Sequence, residues 1–338
     1  MNEFVAHRLR FECQVESEIL LSGYQGSAIR GALFHALRGR ESQPGLCFEP
    51  RQQECRGCPY LPGCPVSLLL ATVDENGRRG SDVPRPYTIE PPLRFNGRYE
   101  VGETFEFGLT LFARALSLFP YVIVAVRRME GGIGRRIGNA KGRSLPGRFR
   151  IGRIVATNPL TGQEQAVMQS GEELVAVPSI PITHEQVINR ARELALHLAQ
   201  ESRLVLEFLT PTRLFEGGRQ MRRPELRVLM HRLIERLSSL WEEYGGGELP
   251  INFQELMQRS AEARLTCDET RWVEVRGYST RQGAPKWLDG FVGRAIYEGV
   301  AAPLLPWLVW GEVTHVGKDA VKGCGWYRMS AEPKICSR

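Results

Sequence analysis

One order of strands and helices runs through this chain twice, and that repetition limits the available folds more than any single motif. Residues 4–16 alternate, with Val5, His7, Leu9, Phe11, Cys13 and Val15 on one side and Arg8, Arg10, Glu12 and Gln14 on the other. That is the pattern of a half-buried strand, and His7 on its inward side reads as a satisfied core histidine. A turn at 22–26 follows, and Ser27 is placed to cap a helix that reaches about Arg38. Beyond an excursion at 47–64 that carries cysteines, strands are expected near Leu93–Phe95 and at Thr104–Leu111. Leu116–Met129 reads as a second helix with Pro120 in its first turn, where the missing N–H has no partner to lose, and Arg148–Val155 as the closing strand.

The second half repeats the order. Leu204–Leu209 is expected as a strand, and Pro224–Tyr244 as a helix with Leu226, Leu229, Met230, Leu233 and Leu237 at helical spacing. Arg264–Cys267 and Arg271–Gly277 read as short strands, Trp287–Leu304 as the second helix and Gly311–Val316 as the last strand. Each half is then β-α-β-β-α-β, the ferredoxin-like order. The expected fold class is α+β: two tandem ferredoxin-like (RRM-like) domains, at 1–183 and 203–330, with a helix-prone connector at 184–202. A cysteine-rich insertion sits in the first, at about 44–66, and 338 residues suffice for two cores.

Two classes are set aside by composition. The longest apolar runs, around Tyr121–Val126 and Ala301–Trp310, fall short of the roughly 20 residues of a membrane span. Residues 1–20 are charged throughout and have no secretory apolar stretch, so a cytoplasmic protein without a membrane partner is expected. The net charge is +6, and only five of the 44 basic residues are lysines. Arginine presents a planar fork suited to phosphate. A GC-rich genome gives the same bias, so placement has to decide. The densest placement is 127–153, where Arg127, Arg128, Arg135, Arg136, Lys141 and Arg143 precede Arg148, Arg150 and Arg153, with Glu130 the lone carboxylate. A glycine-broken basic hairpin of this kind can track a phosphate backbone, or simply be a solvated loop. Arg219, Arg222 and Arg223 form a smaller cluster before the helix at 224 that could meet a nucleic-acid stem or simply be solvated.

Near the C-terminus, Gly317, Gly323 and Gly325 surround Lys318 and Lys322. Glycines let a backbone approach a phosphate and lysines neutralise it, although the spacing is not that of a Walker A loop and an ordinary turn would use the same residues. The Gly-x5-Gly-x-Gly spacing follows Leu288-Asp289-Gly290-Phe291-Val292-Gly293, and Phe208-Leu209-Thr210-Pro211-Thr212-Arg213-Leu214 opens the second half. Ile29-Arg30-Gly31-Ala32-Leu33 and Gly132-Ile133-Gly134-Arg135-Arg136 occupy the first. In this order the four segments resemble the RAMP superfamily of CRISPR-associated proteins, and within it the endoribonucleases that process CRISPR repeat transcripts.

The resemblance implies a partner, CRISPR repeat RNA as a stem-loop, and a reaction without catalytic metal. The ribose 2′-hydroxyl attacks the adjacent phosphate, leaving a 2′,3′-cyclic phosphate and a 5′-hydroxyl. A base, an acid and cations for the developing charge are needed. Family enzymes often place a histidine on or beside the first helix, which here points to His35, about 140° from the centre of the Ile29/Leu33/Ala36/Leu37 stripe at ~100° per residue. Ala28, Gly31 and Arg38 share its face, Tyr24 is a second candidate for orienting the hydroxyl, and His315 is the fallback. The lysine that some relatives carry near the histidine is missing, which leaves the phosphate to Arg30, Arg38 or Arg40. RNA contacts are expected from Arg30, Arg128, Arg135, Arg136, Lys141, Arg143, Arg222, Arg223, Gly317, Lys318, Lys322, Gly323 and Gly325. The alternative is a non-catalytic RAMP subunit that binds RNA inside an effector complex, whose other subunits would then be partners.

Cys47, Cys55, Cys58 and Cys64 are spaced C-x7-C-x2-C-x5-C in a loop rich in proline and glycine. Four thiolates at such spacing point to a closed tetrahedral zinc site that staples the insertion. An iron–sulfur cluster is the rival, because proline follows the last cysteine, and a metal-free loop is the third reading.

Overall fold

The computed structural model describes residues 4–21, 23–40, 43–49, 55, 57–61, 63–71, 84–94, 96–138, 144–172, 174–200, 202–279 and 284–333. The alternation at the start of the chain becomes β1 (Ala6–Val15), with Leu9, Phe11, Cys13 and Val15 buried. α1 (Gln25–Arg38) follows, then β2 (Tyr87–Glu90), β3 (Thr104–Phe112), α2 (Phe119–Met129), β4 (Phe149–Asn158) and β5 (Gln163–Gln169). The antiparallel sheet runs β5-β4-β1-β3-β2. Phe11 pairs with Phe107 across β1 and β3, and their rings stack at 4.8 Å.

Three expectations for this half are corrected. α1 starts before Ser27, with Tyr24 in extended backbone as its N-cap. The strand expected at Leu93–Phe95 lies instead at β2. Pro91 and Pro92 follow it and cannot donate to a ladder, and Phe95 is outside the described residues. β5 was not expected, since its sequence QEQAVMQ is polar and carries no apolar alternation.

α3 (His184–Ala199) links the halves. Its capping box is built from Thr183 and Gln186, and each satisfies a backbone N–H of the other. The second half contains β6 (Ser202–Thr212), α4 (Leu226–Leu240), α5 (Phe253–Glu262), β7 (Arg264–Val273), β8 (Gly290–Glu298), α6 (Leu305–Thr314) and β9 (Tyr327–Pro333). Its antiparallel sheet runs β7-β8-β6-β9. In both sheets the first and third strands of the half are therefore neighbours at the centre. The whole is a mixed α/β structure consistent with ferredoxin-like folds.

Sequence periodicity misplaced the end of this half by one element. The helix expected at Trp287–Leu304 is strand β8, and the strand expected at Gly311–Val316 belongs mainly to helix α6. α6 is buried on nearly all sides (Leu305, Trp307, Leu308, Val309, Trp310 and Val313), so it shows no polar stripe from which to read a helical period. The two short strands expected at 264–277 are the single strand β7, with a register shift between Leu265 and Cys267, followed by a hairpin, Arg276–Ser279 with Ala284–Trp287. α5 is an addition.

The core of the second half borrows from the first. Phe4, Ala6 and Phe112 belong to its cluster, and Phe4 stacks on Trp241 at 4.8 Å and meets Trp310 edge-on at 5.1 Å. Among the described residues no helix is long and apolar enough to cross a membrane.

Candidate nucleic-acid interface

α1 buries Ile29, Leu33 and Leu37, and that leaves Ala28, Arg30, Gly31, Phe34 and His35 half-buried. His35 thus lies off the apolar stripe, as the wheel requires, with its ring against Phe34 at 5.5 Å. The Arg30 guanidinium lies 5.5 Å over the same Phe34 ring. Arg128, from the last turn of α2, donates to the Ala36 carbonyl at 3.5 Å and brings a cation to the C-terminal turn of α1, where the helix dipole favours one. Beyond α2, the hairpin Ile133–Gly138 with Ser144–Gly147 packs beside α1 and leaves Arg135 and Arg136 exposed. Lys141 and Arg143 fall outside the described residues, as does the Arg40 side chain.

The glycine loop meets the other end of α1. A Cβ on Gly26 would collide with the Lys322 carbonyl oxygen, and one on Gly323 would lie 2.5 Å from the Ile89 carbonyl oxygen. Gly323 (φ +87°) and Gly325 (φ +72°) also hold backbone conformations that side chains disfavour. Thr210 fixes the loop from β6: its hydroxyl donates to the Gly323 carbonyl at 2.7 Å and accepts from the Trp326 N–H at 2.9 Å. The glycines therefore clamp the two halves together, and Gly323 and Gly325 are buried. That corrects the expectation of a phosphate cradle at these two positions. Gly317 is half-buried and blocked by the Arg213 carbonyl.

At the centre of the loop, Asp319 is 7% exposed and pairs with Arg213, with Lys286 at 2.9 Å and with Lys322 at 3.4 Å. Burial raises its carboxyl pKa, but the surrounding cations outweigh that and hold it below the ordinary value. Lys322, 12% exposed, is committed to this carboxylate and is not an open RNA contact. Lys318 is exposed, with its ammonium 5.2 Å over Phe215.

Two further candidates are buried. Tyr24 packs with Leu288 and Cys324, and its phenol lies near Thr210 and Cys324, with burial pushing its pKa well up. It ties α1 to the second half and is 8% exposed. His315 is 0% exposed and stacked on Trp326 at 5.9 Å, which leaves its imidazole out of reach of a bound RNA in this structure, and burial lowers its pKa well below the usual range. Arg38, expected beside His35, instead directs Nη1 to Cys55 Sγ at 3.9 Å. There it lines a cavity of about 10 Å³ shared by Cys47, Cys55, Cys58 and Cys64. The thiols influence one another's ionisation, yet among the described residues no three such side chains stand in a ready ligand arrangement.

In the second half, Arg222 stacks 4.2 Å over Trp272 and Arg223 pairs with Asp268 at 3.1 Å. Sequence reading missed Trp287 and Arg276, because Trp287 was assigned to a helix. An exposed tryptophan beside an arginine is the signal that the correct strand assignment would have shown.

Two family models match the chain: AF_1859_N, an N-terminal domain, over residues 4–180, and CRISPR-associated endoribonuclease Cas6 over residues 206–327. No curated protein sequence matches. Among solved structures, a partial Cas6-RT-Cas1–Cas2 complex superposes with TM-score 0.58 at 15% identity, over 100% of this chain and 48% of that one. The chain thus spans about half the length of that relative. A Cas6 product complex gives 0.52 at 17% identity over 96% and 100%, and Cas6 of Thermus thermophilus gives 0.51 at 14% over 97% and 99%. At such identities the likeness is one of fold.

Proposed function

The chain belongs to the CRISPR-associated proteins of the Cas6/RAMP type, and we propose that it is an endoribonuclease that cuts CRISPR repeat RNA without a catalytic metal. The observation that carries this reading is the seating of the loop at 317–325, inside the region matched by the Cas6 family, on the first turn of the helix that bears His35. Gly26 and His35 are nine residues apart, about 13 Å along the helix axis. The loop thus fixes where α1 sits, and its exposed Lys318 and the half-buried His35 are groups of this region accessible to RNA.

In the proposed reaction His35 takes or returns the proton as the 2′-oxygen bonds to phosphorus and the bond to the 5′-oxygen breaks. The products are a 2′,3′-cyclic phosphate and a 5′-hydroxyl. Arg30, Arg128, Arg135 and Arg136 supply positive charge along the strand, and the arginine fork suits phosphate. The repeat is bound as a stem-loop, in the cytoplasm, and the product passes to a CRISPR effector complex. The fold we assign is two tandem ferredoxin-like domains, 1–183 and 203–330, with 184–202 between them. The test is incubation with a repeat-containing transcript in EDTA, followed by analysis of the product ends. Cleavage to cyclic-phosphate ends is expected; binding without cleavage would turn the reading to an RNA-binding RAMP subunit.

We further assign the four cysteines to one structural zinc ion. The C-x7-C-x2-C-x5-C spacing and the shared lining of one small cavity support this reading, although the four thiols do not stand in ligand positions here; a closed tetrahedral site would cross-link an insertion with little core of its own. Elemental analysis of the purified protein should give one zinc per chain, lost in a Cys55→Ser/Cys58→Ser variant. Iron together with visible absorption would replace zinc by a cluster.

A further inference from the structure

We infer that the hairpin Arg276–Ser279 with Ala284–Trp287 is a subsite for one unpaired RNA nucleotide, its base stacked on Trp287 and its phosphate at Lys286. The inference rests on the RNA-binding reading above and adds a recognition element to it. Trp287 is 50% exposed, whereas Trp307, Trp310 and Trp326 are buried and Trp241 and Trp272 pack against the second core. A half-exposed indole offers a flat apolar face that a stacked base can cover. Arg276 pairs directly across the hairpin from Trp287, and its guanidinium lies 4.6 Å from the ring centroid. A cation so placed covers part of the ring and leaves an arginine–indole platform for a further flat group.

The platform is fixed to the candidate site. The Tyr24 N–H donates to the Arg276 carbonyl at 3.1 Å, which seats the hairpin at the start of α1. Leu288 N–H donates to the Val275 carbonyl at 2.8 Å, and Leu288 is buried against Tyr24 and Cys324. Lys286, next to the tryptophan, pairs with Asp319 while 41% exposed, and Arg213 and Lys322 pair with the same carboxylate. Arg213 and Lys322 already neutralise that carboxylate from the buried side, so the half-exposed Lys286 is the cation of the three open to a phosphate beside the stacked base. Bases inside an A-form stem expose no ring face, so the nucleotide is an unpaired one flanking the stem.

The test uses the full chain and a repeat RNA whose scissile 2′-hydroxyl is replaced by hydrogen, so that binding is read without cutting. Trp287→Ala should weaken binding roughly 5- to 150-fold, the range for loss of one base–aromatic stack, while Trp287→Phe stays near wild type. RNAs with a single abasic position in turn should bind wild type poorly at one unpaired position, and that defect should not add to Trp287→Ala. Wild-type affinity in Trp287→Ala, or a loss that adds equally at every abasic position, would overturn the subsite. A wild-type protein that does not bind the RNA at all would overturn the proposed function itself. If the alanine variant does not fold, fluorescence decides. RNA should quench wild type more than Trp287→Phe, and equal quenching would sink the inference.

Discussion

Replacing His35 with alanine should slow cleavage of repeat RNA by about 10²- to 10⁴-fold, the usual worth of a positioned general acid or base. RNA affinity should stay nearly constant, because the proposed grip comes from the arginines and the hairpins. The expectation follows from elimination as much as from position. Of the candidates for proton transfer, Tyr24 and His315 are buried, and Arg38 is turned to Cys55. Arginine in any case holds its proton too tightly to shuttle it. Single-turnover rates on RNA held at saturating protein separate the chemical step from binding. Tyr24→Phe is the matched control: its hydroxyl sits inside the joint between the halves, so it should cut at close to the wild-type rate. A His35→Ala protein that cuts at full speed would remove the helix from the mechanism.

The second large effect is expected at Asp319. Asp319→Ala leaves the Arg213 and Lys322 side chains, 10% and 12% exposed, without a counter-ion. Breaking one partner from a buried ionic cluster costs about 3–5 kcal/mol. Asp319 also sits at φ +62°, where asparagine is tolerated far better than alanine. Asp319→Asn therefore removes the charge while sparing the backbone, and should recover only a minor part of the loss. The pH dependence has a definite sign. The carboxyl pKa is depressed on folding, so its contribution is complete above the ordinary value of 3.8 and fades as pH falls through the lower folded value. Denaturant melts of wild type and the asparagine variant should therefore be far apart at neutral pH and converge in acid. Curves that stay parallel down to the lowest pH would show that the cluster is not held by this charge.

What the sequence disclosed, and what it hid, follows from how each element is solvated. β1 and α1 each keep a wet side and a dry one, so Leu9, Phe11, Ile29 and Leu33 announce them. α6 has no wet side, and β5 has hardly any dry one, so neither carries a period. Reading 287–304 as helix hid the hairpin that ends at Trp287, and with it the pairing of Trp287 with Arg276. The glycine loop was legible as a motif, but its neighbours were not. Gly26 and Ile89 lie more than 200 residues away in the chain, and nothing local records that they occupy the space that a phosphate was expected to fill.

Phe4 sets the schedule of assembly. It is 0% exposed, and its partners Trp241 and Trp310 come late in the chain. On the ribosome, at about 5–20 residues per second, roughly 15–60 s separate the synthesis of Phe4 from that of Trp310. During that interval the first sheet can close around Phe11 and Phe107, but Phe4 has only Phe112 of its aromatic partners until Trp241 and then Trp310 are made. The joint between α1 and the loop at 317–325 forms only once the loop has been made, so a chain released before it carries both His35 and the arginine hairpin without the contact that ties α1 to the second half.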